Sequence, residues 1–134
     1  MAQAGDKASR QRPLSPHIQI YGWSWTMVMS GFHRATGFAL YFGMGLFALW
    51  LVLLTTPSTN ELAYWLVSNI IGWIVPFGFS WGLIHHLLGG IRHFIWDMGK
   101  GFDPVSRRNM AIYTLVGSTT LTLLLWVVGF MLTR

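Results

Sequence analysis

Three long stretches without a charged side chain constrain most strongly how this sequence can fold. They cover residues 35–60, 62–91 and 109–133. Each is longer than the roughly 20 residues that a helix needs to cross a lipid bilayer. Strands that span a membrane are about half as long and alternate apolar with polar residues, which these stretches do not do. The sequence therefore predicts an all-α integral membrane protein with three transmembrane helices.

The composition agrees with a chain that is surrounded by lipid. Only 10% of its residues are charged and 53% are hydrophobic, whereas a soluble domain carries roughly 25% charged residues. The net charge of +5 comes from basic residues that flank the apolar stretches, so it indicates membrane topology and no nucleic-acid partner. The chain has no cysteine, which excludes disulfides, cysteine-ligated iron–sulfur clusters and thiolate haem ligands within it.

The pattern divides the chain into a cytoplasmic or interfacial segment, 1–23, and a membrane anchor, 24–134. We expect helices over 26–55, 62–97 and 108–132. The second should begin near Glu61, end near Asp97 and kink at its internal proline, Pro76, because proline cannot donate a helical hydrogen bond.

Basic residues predict the orientation of these helices. The first loop carries no basic residue and one acidic residue, Glu61. The basic side chains lie in the N-terminal tail and in the second loop: Lys7, Arg10, Arg12, Lys100, Arg107 and Arg108. Basic loops stay on the cytoplasmic side. We therefore expect the N-terminus in the cytoplasm or mitochondrial matrix, and the C-terminus on the opposite side.

The end of the second apolar stretch holds an unusual cluster of ionisable residues: His85, His86, Arg92 and His93. Such groups are costly in a membrane and mark functional sites by default. His86 and His93 lie on nearly one helical face, about 10 Å apart. A neutral imidazole is a common haem ligand. The alternative is that these histidines cap the helix end or bond a neighbouring helix.

The first helix carries a second polar pair. Ser30 and Arg34 are four residues apart and share a face, which Trp23 and Met27 extend as an apolar wall. The pair can donate hydrogen bonds to a carbonyl oxygen and stabilise negative charge that develops on it. Alternatively, Arg34 reaches lipid phosphate and Ser30 bonds its own helix. The third helix shows only possible packing notches, which are Gly117, Ser118 and Gly129.

Three motifs resemble the large cytochrome b subunit of succinate dehydrogenase, or respiratory complex II, in its alphaproteobacterial and mitochondrial form. They are Arg12-Pro-Leu-Ser-Pro-His17, Ser30-Gly-Phe-His-Arg-Ala-Thr-Gly37 and His86-Leu-Leu-Gly-Gly-Ile-Arg-His-Phe-Ile-Trp-Asp97. The resemblance covers nearly the whole chain. It implies a subunit, not catalytic alone, that passes electrons from succinate oxidation to ubiquinone in the tricarboxylic acid cycle and respiratory chain.

The resemblance also implies a haem b shared with a second small anchor subunit. His86 matches the family's axial ligand to the haem iron, and the partner anchor supplies the other. His33, Arg34 and His93 are implied as partners of the haem propionates. The sequence offers no role for His85.

Residues for ubiquinone follow from the same resemblance. Ser30 and Arg34 match the family's quinone-site positions, and Trp23 and Met27 match its wall positions. Gly31 stands where relatives often carry isoleucine, which predicts a roomier pocket. In the haem motif, Gly89-Gly90 replaces the commoner Asn-Gly or Val-Gly, and we expect this to alter packing.

The implied partners are the second anchor, an iron–sulfur subunit, a flavoprotein subunit and the lipid of a bacterial or mitochondrial inner membrane. Two alternatives stay open: the anchor of a quinol:fumarate reductase, and a structural membrane anchor without a cofactor.

Overall fold

A computed structural model describes residues 22–133, so the predictions for the basic tail and its Ser-Pro-His motif lie outside the described residues. The described chain forms four helices: α1 (Trp25–Thr55), α2 (Asn60–Ser68), α3 (Ile70–Asp97) and α4 (Pro104–Leu132). Helices α1, α3 and α4 are long and apolar enough to cross a membrane. The predicted all-α architecture with three spans is confirmed.

Polar caps set the starts of the outer spans. The Ser24 hydroxyl accepts a hydrogen bond from the Met27 N–H at 3.3 Å before α1. Asp103 precedes α4 and accepts from the Ser106 N–H at 2.9 Å, and hydrogen bonds from Ser106 hold the pKa of Asp103 below its usual value. Because Pro104 occupies the first turn, where its missing N–H costs nothing, α4 starts a few residues before the predicted position 108.

The second predicted helix is interrupted, and the prediction of one continuous helix from Glu61 was wrong. Asn69 has an extended backbone and caps α3. Its side-chain oxygen accepts from the N–H of Ile71 at 3.0 Å and of Gly72 at 3.3 Å. The cap thereby satisfies two N–H groups that have no carbonyl partner in the first turn of α3. The long apolar helix therefore begins at Ile70. Pro76 lies inside it, and the kink there stays a prediction.

Helix α3 is central because it packs against both α1 and α4. Its buried residues are small or polar: Gly82, His85, Gly89 and Arg92. Those of α4 are Ala111, Thr114, Ser118 and Thr122. Large apolar side chains are mostly exposed. This arrangement suits a lipid environment, where small residues let helices approach closely and polar ones bond across the interface.

A tight contact between α1 and α3 gives a stability prediction. A Cβ atom at Gly43 would lie 2.5 Å from Cε2 of Phe79, whereas one at Gly45 would meet no atom within 4 Å. Gly43→Val should therefore overpack the interface and cost about 1–3 kcal/mol. We expect thermal unfolding of the purified protein at lower temperature, and little change for the matched control Gly45→Val. Equal melting temperatures for the two variants would contradict the close packing.

Candidate functional site

Three histidines meet where α1 crosses α3. The rings of His33 and His86 are stacked, with centroids 4.0 Å apart and planes 12° from parallel. The ring of His93 lies 5.2 Å from that of His33 and is tilted by 55°. The structure thus brings together three of the residues that the sequence predicts for a haem site.

Two glycines make this stacking possible. A Cβ atom at Gly37 of α1 would lie 2.9 Å from Cε1 of His86, and one at Gly89 of α3 would collide with the ring of His33. Each ring therefore covers the glycine of the opposite helix. Gly90 and Gly31 have no such neighbours. Of the Gly89-Gly90 pair, Gly89 is the residue that the close approach requires.

Hydrogen bonding determines which nitrogen of His86 carries the proton. Its Nδ1 lies 3.1 Å from the backbone carbonyl oxygen of His33. A carbonyl can only accept, so Nδ1 must donate, and the neutral ring keeps its lone pair on Nε2. The Thr36 hydroxyl, 3.4 Å from the same Nδ1, is buried and donates to carbonyls of its own helix. An imidazole held in this way has the form that binds a metal ion.

Several buried nitrogen atoms near the C-terminal end of α3 have no hydrogen-bond partner within residues 22–133. They are Nε2 of His33, Nε and Nη1 of Arg92, and Nε1 of Trp96. Arg92 is only 4% exposed, and its guanidinium carbon lies 5.1 Å from the Trp96 ring centroid. Buried donors without acceptors are costly. The cluster therefore has the chemistry to hold a carboxylate or another anion.

The residues predicted for ubiquinone lie on a different surface. Trp23, Met27, Ser30 and Arg34 are all exposed, and the last two are one turn apart on α1. Trp23 also lines a cavity of about 350 Å³ with Ser24, Arg107 and others. Within the described part of the chain, these four side chains are therefore left open on the surface.

The structure shows what surrounds His85, a residue for which the sequence predicts no role. Its side chain is 1% exposed, its Nδ1 lies 3.1 Å from the hydroxyl of Ser118 in α4, and its ring stacks on Trp81 at 4.8 Å. Sequence reasoning treated Ser118 only as a packing notch and missed Thr36 altogether. Thr36 lies three residues after His33 in the motif that runs from Ser30 to Gly37, a spacing that does put both on one helical face.

The fold and site together define a three-span membrane protein with a histidine pair between two of its helices. The chain belongs to the family of succinate dehydrogenase/fumarate reductase transmembrane subunits, whose pattern matches residues 8–125.

Individual relatives support the same family. The chain is 37% identical over 120 residues to the succinate dehydrogenase cytochrome b556 subunit of Paracoccus denitrificans, which covers 89% of this chain and 92% of the relative. It is 35% identical to that of Rickettsia felis, over 95% of this chain and all of the relative. It is 41% identical to the mitochondrial cytochrome b560 subunit of Sus scrofa, over 78% of this chain and 64% of that longer protein.

The two adjacent glycines of α3 allow a matched test of the histidine packing. Gly89→Ala should push the His33 ring from its position and loosen α1 from α3, because the added methyl group has no space there. Gly90→Ala, which faces open space, should not. We expect the Gly89→Ala complex to dissociate at lower temperature on native gels after graded heating. The packing would be disproved if Gly90→Ala were equally damaging.

Proposed function

We propose that this chain is the cytochrome b membrane anchor of a succinate dehydrogenase, and that it contributes one haem ligand and part of a ubiquinone site. The observation that carries the proposal is the state of His86. Its Nδ1 donates to the His33 carbonyl, which leaves Nε2 free to bind iron. The names of the cytochrome b556 and b560 relatives support the same reading.

The residues around His86 fit a haem group. His86 of this chain would bind the haem iron, together with a histidine of a second small anchor. The His33 carbonyl and Thr36 orient the imidazole, and Gly37 lets α1 approach it. A haem bound here would supply one-electron redox chemistry.

Propionates of that haem would find donors among the buried N–H groups without acceptors. The guanidinium of Arg92 is the strongest candidate, because two of its buried N–H groups lack an acceptor in the described chain. Nε2 of His33 is also buried without a partner in that part of the chain and would donate in the tautomer that carries its proton there. His93 lies next to His33 and stays a candidate. Arg34 is exposed and lies about 100° around the helix from His33, so its role toward the propionates is the weaker of its two assignments.

The exposed face of α1 would bind ubiquinone. The Ser30 hydroxyl and the Arg34 guanidinium would donate to one carbonyl oxygen of the quinone. The positive charge of Arg34 would stabilise the negative charge that grows on that oxygen during reduction. Trp23 and Met27 would contact the apolar part of the ring. The open side of this face would be completed by partner subunits.

The assembled enzyme would contain the flavoprotein, where succinate is oxidised, the iron–sulfur subunit and the second anchor. We place it in a bacterial or mitochondrial inner membrane, with the N-terminus of this chain on the cytoplasmic or matrix side. The family description also covers fumarate reductases, and the same residues would serve the reverse reaction. A cofactor-free structural anchor is the remaining alternative, and it predicts a complex without a haem spectrum.

The haem assignment is tested by replacing the ligand. In purified complex, His86→Tyr should abolish the reduced-minus-oxidised spectrum of a b-type haem with two histidine ligands. His86→Ala should do the same, and added imidazole should restore part of the signal by occupying the space of the lost ring. An intact spectrum in both variants would move the ligand elsewhere.

The quinone assignment is tested by Arg34→Ala. Succinate:ubiquinone reductase activity should fall roughly 100-fold, the loss typical of a removed charge-stabilising donor, and Arg34→Lys should lose less. Succinate oxidation with a soluble dye as electron acceptor should not change, since it needs no quinone site. Lys100→Ala, which removes an exposed basic side chain after the end of α3 and outside the cavity that Trp23 lines, is the control. Wild-type quinone reduction by Arg34→Ala would remove Arg34 from the site.

A further inference from the structure

Two adjacent histidines of α3 connect this helix to two different neighbours. His86 donates to the His33 carbonyl of α1. His85 bonds to the Ser118 hydroxyl of α4 at 3.1 Å. Successive residues of a helix point about 100° apart, so the direction of one side chain determines that of the next.

The bond between His85 and Ser118 has a defined direction. The Ser118 hydroxyl donates its only proton to the Leu115 carbonyl at 2.9 Å. In the arrangement that satisfies both contacts, its oxygen accepts from Nδ1–H of His85. His85 is 1% exposed and Ser118 is 0% exposed. A hydrogen bond in such a low-dielectric interior is electrostatically stronger than in water, and an unpaired group would be costly.

Neighbouring contacts hold the same part of α3. The ring of Trp81, one turn before His85, stacks on it with planes 20° from parallel. The Trp81 Nε1–H donates to the Thr119 hydroxyl at 3.3 Å. The edge of Phe32 from α1 approaches the His85 ring, with centroids 6.2 Å apart. Two hydrogen bonds to α4, one turn apart along α3, thus resist rotation of α3 about its own axis.

Such a rotation of α3 would also displace the ring of His86, the residue that follows His85. Turning a helix by about 20° moves side-chain atoms at its outer radius of roughly 5 Å by about 2 Å. A binding site needs its groups within roughly 0.5 Å of the productive geometry. A rotation that the contacts of His85 with α4 prevent would therefore displace the His86 ring by more than a binding site tolerates.

We propose that His85 is a positioning residue, which fixes the direction of the His86 imidazole through its hydrogen bond to Ser118 and does not itself bind iron. The consequence for haem rests on the proposed function of His86. The claim that His85 fixes α3 against α4 is independent of that function, and it can be tested without haem.

The variants separate the hydrogen bond from the packing of the ring. His85→Phe keeps an aromatic ring against Trp81 and removes the bond. His85→Asn loses the ring, but its amide N–H can replace Nδ1–H. Ser118→Ala removes the acceptor with a smaller change of volume. Thr122→Val is the control, because the Thr122 hydroxyl is equally buried but donates within its own helix to the Ser118 carbonyl at 2.7 Å.

The first measurement reports the orientation of the axial imidazole in the whole purified complex. We expect His85→Phe and Ser118→Ala to shift the largest g value of the ferric haem and its midpoint potential in the same direction. His85→Asn should return both toward wild type, and Thr122→Val should leave both unchanged. Wild-type values for His85→Phe and Ser118→Ala would overturn the proposal, as would equal shifts for His85→Phe and His85→Asn.

The second measurement needs no haem. Because the chain has no cysteine, the pair Leu88→Cys and Gly117→Cys reports the fit of α3 on α4, where a Leu88 methyl group lies 3.2 Å from the Cβ position of Gly117. In membranes holding the complex, His85→Phe should slow disulfide formation about fivefold, the effect of a hydrogen bond of about 1 kcal/mol. An unchanged rate would overturn the fixing of α3 by His85.

The two proposals fail in different ways. If His86→Tyr leaves the haem spectrum intact, the proposed ligand is wrong, while the cross-linking result still decides whether His85 fixes α3. If His86 is the ligand and cross-linking slows without any change in g value or potential, then His85 does not position His86 and the inference is overturned.

Discussion

The stacking of His33 on His86 is the interaction on which the rest of the site depends. It requires that α1 and α3 approach closely, which Gly37 and Gly89 permit by leaving space for the opposing rings. The same approach brings the His33 carbonyl to Nδ1 of His86. One packing arrangement therefore determines the helix spacing, which nitrogen of the imidazole carries the proton and which keeps its lone pair.

Helix α3 is held against α4 by side-chain hydrogen bonds. The hydroxyl groups of Ser118 and Thr119 in α4 form hydrogen bonds with His85 and Trp81 of α3. Several of the buried side chains in the described chain are polar, while most large apolar side chains are exposed. In lipid there is little hydrophobic force between helices, so specific polar contacts and close packing must define how α3 is held.

The sequence predicted the spans and part of the site because both depend on features within single helices. Stretches without charge revealed three long helices, and the spacing of His86 and His93 placed them near one face. The break at Asn69 was missed because a long apolar run does not show where a side-chain cap competes with helix. The bond of His85 to Ser118 and the burial of Arg92 were also beyond prediction, since each depends on the rotation of one helix against another.

The guanidinium of Arg92 has a consequence for how the protein is assembled in the cell. Two of its nitrogens are buried without an acceptor in the described chain, so residues 22–133 alone leave these N–H groups of a buried cation unpaired. Inserting a copy with these groups unpaired into a membrane is costly, and the cost falls once an acceptor arrives with a cofactor or another subunit. A copy that has no such acceptor is therefore expected to be less stable in the membrane than one that has it.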